Sequence, residues 1–301
     1  MINCIEVYLI GGVLMKNENK NSDRIYDTCS ITMELERPLL EIELQNMKEN
    51  VNNKKTISLF KIRKLLSYIL ISIIIAILIF FMYANKTYKP QSLANLSLIS
   101  DNYVSVNKDK FITFTPKKSK ATKGFIFYPE SKVDIKSYAP LAKSIAKNGY
   151  KVIIVNSTLN IPILSPNKAK EVINKNKDIK TWVVGGHSLG GVAASKFAIK
   201  NKDLISGVGF LASYPNEELI NSHMEVLSIW GSKDGILNLK KLIESKKKLP
   251  IDTTYVEIEG GNHSQFGDYG SQNRDNKATI NQDKQLQITS KSIVDFLNKI
   301  Y

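Results

Sequence analysis

The chain has 301 residues, 43% hydrophobic and 23% charged, the balance of a globular protein and not of a disordered one. Its net charge of +14 comes from lysines scattered along the whole length, with no basic stripe interleaved with aromatics, which argues against a nucleic-acid partner. Both cysteines, Cys4 and Cys29, lie near the N-terminus, so residues 85–301 must hold together without disulfides or cysteine-ligated metal.

Residues 1–64 carry no convincing periodic pattern beyond a short helical patch at 34–44. The Gly11-Gly12 pair before Met15 can be encoded as a ribosome-binding sequence, so Met15 is expected to be the true start and residues 1–14 a mis-annotated extension. Residues 65–84 (LLSYILISIIIAILIFFMYA) contain no charge. Twenty helical residues span about 30 Å, the thickness of a bilayer's hydrocarbon core. The run is too long for the apolar region of a signal peptide and has no A-x-A-like exit, so it reads as an uncleaved transmembrane anchor. Lys54, Lys55, Lys61, Arg63 and Lys64 precede it, and only Lys86 and Lys89 follow closely. That bias places residues 1–64 as a cytoplasmic tail and everything after 84 outside the cell membrane.

Residues 85–100 read as a linker, and 101–301 as one domain. Within it, 103–107 and 111–115 suggest an antiparallel strand pair. Strands follow at 124–128, 151–155, 181–185, 207–212, 225–230 and 253–258, with helices at 137–148, 167–176, 238–248 and 281–299 and one more after 190. Strands alternating with helices imply a mostly parallel sheet covered on both faces, with chemistry at the carboxyl ends of the strands.

The informative stretch is 181–195. An apolar run (Trp182, Val183, Val184) meets Gly186-His187-Ser188-Leu189-Gly190, which fits G-x-S-x-G, and then a small-residue helix begins. A serine hydroxyl is a weak nucleophile and must be held where a base can reach it; a tight strand-to-helix turn does that. The Leu189 N–H would face a developing oxyanion at the helix N-terminus. A base and an orienting carboxylate are also required. Of three histidines, His187 adjoins the serine but points away from its hydroxyl, and His223 precedes a strand. His263 follows the 253–258 strand and is the expected base. Asp234, in the turn after 225–230, is the expected carboxylate, and the order Ser188, Asp234, His263 is that of the α/β hydrolases.

From Tyr103 onward the chain resembles the α/β-hydrolase fold family, and most closely its compact bacterial serine branch related to dienelactone hydrolases. The residues that carry the resemblance are Phe127-Tyr-Pro129, Ser137-Tyr-Ala-Pro-Leu-Ala142, Gly185-Gly-His-Ser-Leu-Gly-Gly191, Leu211-Ala-Ser-Tyr-Pro215, Trp230-Gly-Ser-Lys-Asp-Gly235 and Gly260-Gly-Asn-His-Ser-Gln-Phe-Gly-Asp-Tyr-Gly270. The resemblance implies an α/β-hydrolase domain with Ser188, Asp234 and His263 as nucleophile, orienting acid and base. It also implies a second oxyanion donor from the loop after the 124–128 strand. Relatives often carry Pro-Gly-Gly there; this chain has Pro129-Glu130-Ser131, and since a backbone donor survives any side chain, the N–H of Glu130 or Ser131 is the expected donor. A carboxylate beside an oxyanion would be unfavourable unless it turned away.

The loop 261–279 is long and rich in Gly, Asn, Asp and Gln, a length that usually marks function. Asp268 and Asp275 in it do not have EF-hand spacing. Residues 156–166 are the expected pocket wall. The expectation is a membrane-anchored serine hydrolase that cleaves an acyl bond of a small-molecule substrate, most simply a carboxylic ester; a thioesterase or peptidase differs only in leaving group, which the sequence does not separate. It needs no metal or organic cofactor. The alternative is a non-catalytic envelope-binding protein on the same fold.

Overall fold

The computed structural model describes residues 23–300. Met15 and Cys4 lie outside them. The chain divides into two compact units, Met1–Ala76 and Ile77–Tyr301. A single helix, α1 (Asp23–Asn85), runs through the described part of the first and into the second. It is the one helix among the described residues long and apolar enough to cross a membrane. Its apolar side chains are not covered by protein, with Ile71 51% and Ile75 50% exposed. The helix extends well beyond the short patch expected at 34–44. Extending an existing helix carries no nucleation cost, so polar residues flanking a strong helical segment are drawn in.

The second unit is built on an eight-stranded sheet. Its strands are β1 (Val104–Asn107), β2 (Ile112–Pro116), β3 (Lys123–Tyr128), β4 (Lys151–Ile154), β5 (Thr181–His187), β6 (Gly207–Leu211), β7 (Glu225–Gly231) and β8 (Thr254–Ile258). Their order across the sheet is β1-β2-β4-β3-β5-β6-β7-β8. β1 and β2 pair antiparallel, as does β2 with β4, and the remaining pairs are parallel. Central strands are apolar without a break because both faces are covered: Phe125, Ile126, Phe127 and Tyr128 are all buried.

Alternate residues feed two cores. Phe125, Phe127 and Val183 pack on one face with Leu141 and Ile145 of α3 (Ala139–Lys147) and Phe296 and Leu297 of α7 (Gln282–Lys299). Ile126, Tyr128 and Val184 pack on the other with Val172 of α4 (Lys168–Lys175) and Phe197 of α5 (Leu189–Lys200). Each such side chain contributes roughly 1.5–3 kcal/mol through removal from water. A further helix, α6 (Leu239–Ser245), follows β7.

The stretch 85–100, expected to be a linker, is instead docked onto this unit. Tyr88 forms a bridge with Val133, and a short helix, α2 (Ser92–Ser97), follows. Asp268 holds it: its carboxylate accepts from the Ala94 N–H at 2.6 Å and its carbonyl from the Gln91 N–H at 2.9 Å. Ala94 and Leu98, one turn apart, are buried. Six residues are too few to show a helical period in sequence.

Candidate active site

β5 ends at the centre of the sheet, and the chain must turn sharply from it into α5. Ser188 sits at the turn with φ 54° and ψ −122°, a region that costs a non-glycine residue about 1–3 kcal/mol. Its carbonyl accepts from Ser213 Oγ at 2.6 Å and its N–H donates to Leu211 O at 2.9 Å, so neighbouring β6 and its loop hold the strained backbone. The glycines are there for proximity. A Cβ on Gly186 would meet Gly190 C at 2.4 Å, and one on Gly190 would meet Tyr128 O at 2.1 Å. The Leu189 N–H is the first of α5 and has no preceding turn to bond to.

His263 and Asp234 come from the loops after β8 and β7. His263 Nδ1 lies 2.8 Å from Asp234 Oδ2. The other carboxylate oxygen of Asp234 accepts from the Ile236 and Leu237 N–H groups at 2.8 and 2.7 Å, which locks its rotamer. Ser188 and His263 line one pocket of about 210 Å³. Its other walls come from the loop after β6 (Ala212, Ser213, Tyr214, Asn216), the segment after Asp234 (Ile236, Leu237, Asn238) and α5 (Leu189, Val192). Residues 156–166, expected to form its wall, do not line it. They follow β4, which is separated from β5 by β3, whereas the pocket opens on the β6 and β7 side. His223 lies just before β7, at the opposite end of the sheet.

The loop after β8 is held by Asp275. Its carboxylate accepts from Gly235 N at 3.0 Å, His263 N at 3.3 Å, Ser264 N at 2.8 Å and Ser264 Oγ at 2.6 Å. Asp275 thus ties the His263 backbone to the turn that carries Asp234. Gln285 of α7 completes the support: its side-chain amide pairs with both backbone groups of Asn262, at 3.0 and 2.8 Å. In the sequence Asp275 is only one of two acidic residues in a long loop.

The loop after β3 differs most from expectation. The Glu130 N–H donates to Tyr138 Oη at 3.2 Å, which takes it away from oxyanion duty. No such partner is found for the Ser131 N–H among the described residues. The Glu130 carboxylate is buried and turned inward, between two imidazoles. Oε1 is 3.4 Å from His263 Nε2 and Oε2 is 3.5 Å from His187 Nδ1. Gln272 Nε2 and Tyr269 Oη donate to it at 3.0 and 3.2 Å. No sequence signal marked this pairing; a side chain's direction in a loop depends on neighbours from three other segments.

These contacts decide the protonation states. Burial disfavours charge on His263, but Asp234 at Nδ1 and Glu130 at Nε2 outweigh it and raise the imidazole to about 9. Burial likewise opposes ionisation of Glu130, and the charged His263 imidazole with the Gln272 amide donor outweighs it, holding the carboxyl well below its usual range. His187 is pushed down to about 3, by burial and then by the His263 charge. The group therefore carries its proton on His263, and His187 stays neutral with Nδ1 facing Tyr138 Oη at 2.9 Å.

Glu130, His187 and His263 each offer a ligand atom within 4.8 Å of the others. Ligand atoms of a tetrahedral zinc site lie roughly 3.3–3.5 Å apart. Here the two imidazole rings lie 4.4 Å apart between centroids at 41°, and the Glu130 carboxylate sits within 3.5 Å of one nitrogen of each. Asp268 and Asp275 spend their carboxylates on protein donors.

A mostly parallel sheet with a strained serine at the turn after its central strand is the architecture of α/β hydrolases. The model of the alpha/beta hydrolase family matches residues 124–287, and the chain belongs to that family. Among solved structures it is similar to a predicted CIB-like hydrolase from Thermoplasma acidophilum, at 13% identity and a TM-score of 0.50 over 64% of this chain and 99% of the other. Est1E from Butyrivibrio proteoclasticus matches at 11% identity and a TM-score of 0.47, over 66% and 98% of the two chains. A structure from work on the metagenome-derived lipolytic enzymes LipS and LipT matches at 11% and 0.46, over 60% and 95%. No curated protein matches the chain.

Proposed function

We propose that this protein is a membrane-anchored serine hydrolase that cleaves short-chain carboxylic esters outside the cell. Ser188 attacks the acyl carbonyl, and His263 Nε2 takes its proton and later returns it to the leaving group. Asp234 holds the imidazole tautomer and stabilises the cation. Leu189 N–H and Ser131 N–H donate to the oxyanion. The observation that carries this reading is the convergence of the strained Ser188 with the Asp234–His263 pair at one pocket. A pocket of about 210 Å³ is smaller than the roughly 300–1,000 Å³ of drug-sized sites and favours a short acyl group.

The anchor is the segment 65–84, with residues 1–64 on the cytoplasmic side and 101–301 as the catalytic domain. The test is labelling with a fluorophosphonate probe. The wild-type chain should label and Ser188→Ala should not, and p-nitrophenyl acetate or butyrate should be hydrolysed faster than long-chain esters. A folded wild-type chain that neither labels nor hydrolyses any ester would instead favour the non-catalytic binding protein.

A further inference from the structure

We propose that Glu130 is a positioning residue for the base: its carboxylate pairs with His263 at the Nε2 edge, so that withdrawal of the Ser188 proton waits on loss of the Nε2 proton. The inference rests on the hydrolase reading above. Its geometry is specific. A triad needs Nε2 free to accept from the serine, yet this buried nitrogen has no hydrogen-bond partner among the described residues and faces Glu130 Oε1 at 3.4 Å. The carboxylate cannot readily leave. It is 6% exposed, and Gln272, Tyr269 and the Tyr138-bound backbone fix it from three sides.

The groups facing this pair are few. Asp234 binds the far edge of the imidazole, Asp275 accepts from the backbone N–H of His263, and His187 packs on the His263 ring. Tyr138 and Tyr269 surround Glu130, and burial keeps both phenols protonated. His187 is held neutral. Glu130 and Asp234 are therefore the two groups that hold a proton on His263, one at each nitrogen. Two flanking carboxylates strengthen the base once it is free but leave little of it free at neutral pH. The raised His263 value is what such a sandwich produces. In the step itself, Nε2–H is first lost to solvent; the Ser188 hydroxyl proton then moves to Nε2 as Oγ bonds the acyl carbon.

The experiment compares the full chain in detergent with Glu130→Gln, which keeps the shape and removes the charge. Histidine-selective ¹⁵N labelling gives three resonance sets, one for each histidine in the chain. In the wild type His263 should titrate at least one pH unit above an ordinary histidine, and in Glu130→Gln at least one unit lower than in the wild type. Fluorophosphonate labelling at pH 7 should be at least fivefold faster in the variant, with its pH midpoint moved to the acid side. An ordinary His263 titration in the wild type overturns the proposal even if the variant fails to fold. An unchanged midpoint in a folded variant overturns it as well. If neither form labels but the titration moves as stated, the Glu130–His263 pairing stands and the hydrolase reading falls.

Discussion

Asp234 Oδ2 lies 2.8 Å from His263 Nδ1, joining the loops that leave two adjacent strands of the sheet. The contact holds the imidazole by its Nδ1 edge and leaves Nε2 facing Glu130. Asp234→Asn would present an amide donor to Nδ1 and favour the wrong tautomer. Its ester hydrolysis is expected to fall by roughly 10⁴-fold with the fold intact. Steady-state kinetics beside circular dichroism would check this; a loss under tenfold would mean the carboxylate does not orient the base.

The elbow makes a prediction about packing. Gly190→Ala would drive a Cβ to within 2.1 Å of Tyr128 O, a backbone atom that cannot step aside. The cost is expected to exceed about 3 kcal/mol, the upper end of ordinary overpacking. Gly209→Ala is the control, because the nearest atom to its Cβ would lie at 3.9 Å, an ordinary contact. Thermal unfolding should separate the two by many degrees. Equal melting temperatures would show that the elbow relaxes freely.

Asp275 should matter without touching substrate. Asp275→Ala strands four donors from Gly235, His263 and Ser264. One such bond to a charged group is worth about 1.5–3 kcal/mol. The variant is expected to lose stability of that order and to become sensitive to limited proteolysis within 261–279. Fragment mapping by mass spectrometry reads this directly, and protection equal to wild type would count against the role.

The histidines predict how stability follows pH. His263 is raised to about 9 from an unfolded value of 6.5, so its contribution is full below 6.5 and is lost as pH rises through 9. His187 is lowered to about 3, so on acidification from 6.5 the unfolded chain takes up a proton that the folded one refuses, and stability falls. Together they place the maximum near pH 6.5, with losses on the order of a few kcal/mol at either side. Melting curves of the detergent-solubilised chain from pH 4 to 10 would measure it. His263→Gln should flatten the alkaline limb, and a wild-type curve flat between 6.5 and 9 would contradict the raised value.

Topology gives a last expectation. If residues 85–301 lie outside, protease added to intact cells should release them, while a tag at the N-terminus stays protected. Full protection of the domain would reverse the orientation.

Much of this protein could be read from its residues in order. Trp182 to Gly191 announces a strand, a tight turn and a helix, because apolar β-branched runs and closely spaced glycines each have few backbone options. The alternation of strands and helices was legible for the same reason, as was the uncharged, mostly apolar run at 65–84. These are local properties, written by period and by steric limits. What only the tertiary structure decided were directions. The Glu130 side chain turns in between two histidines, Asp275 knits His263 to the turn of Asp234, the pocket opens toward β6 and β7 and not toward 156–166, and 85–100 docks through Ala94 and Asp268. Each depends on donors and cavities supplied by segments far apart in sequence, and a polar side chain settles toward whichever unsatisfied partner the completed fold leaves within reach.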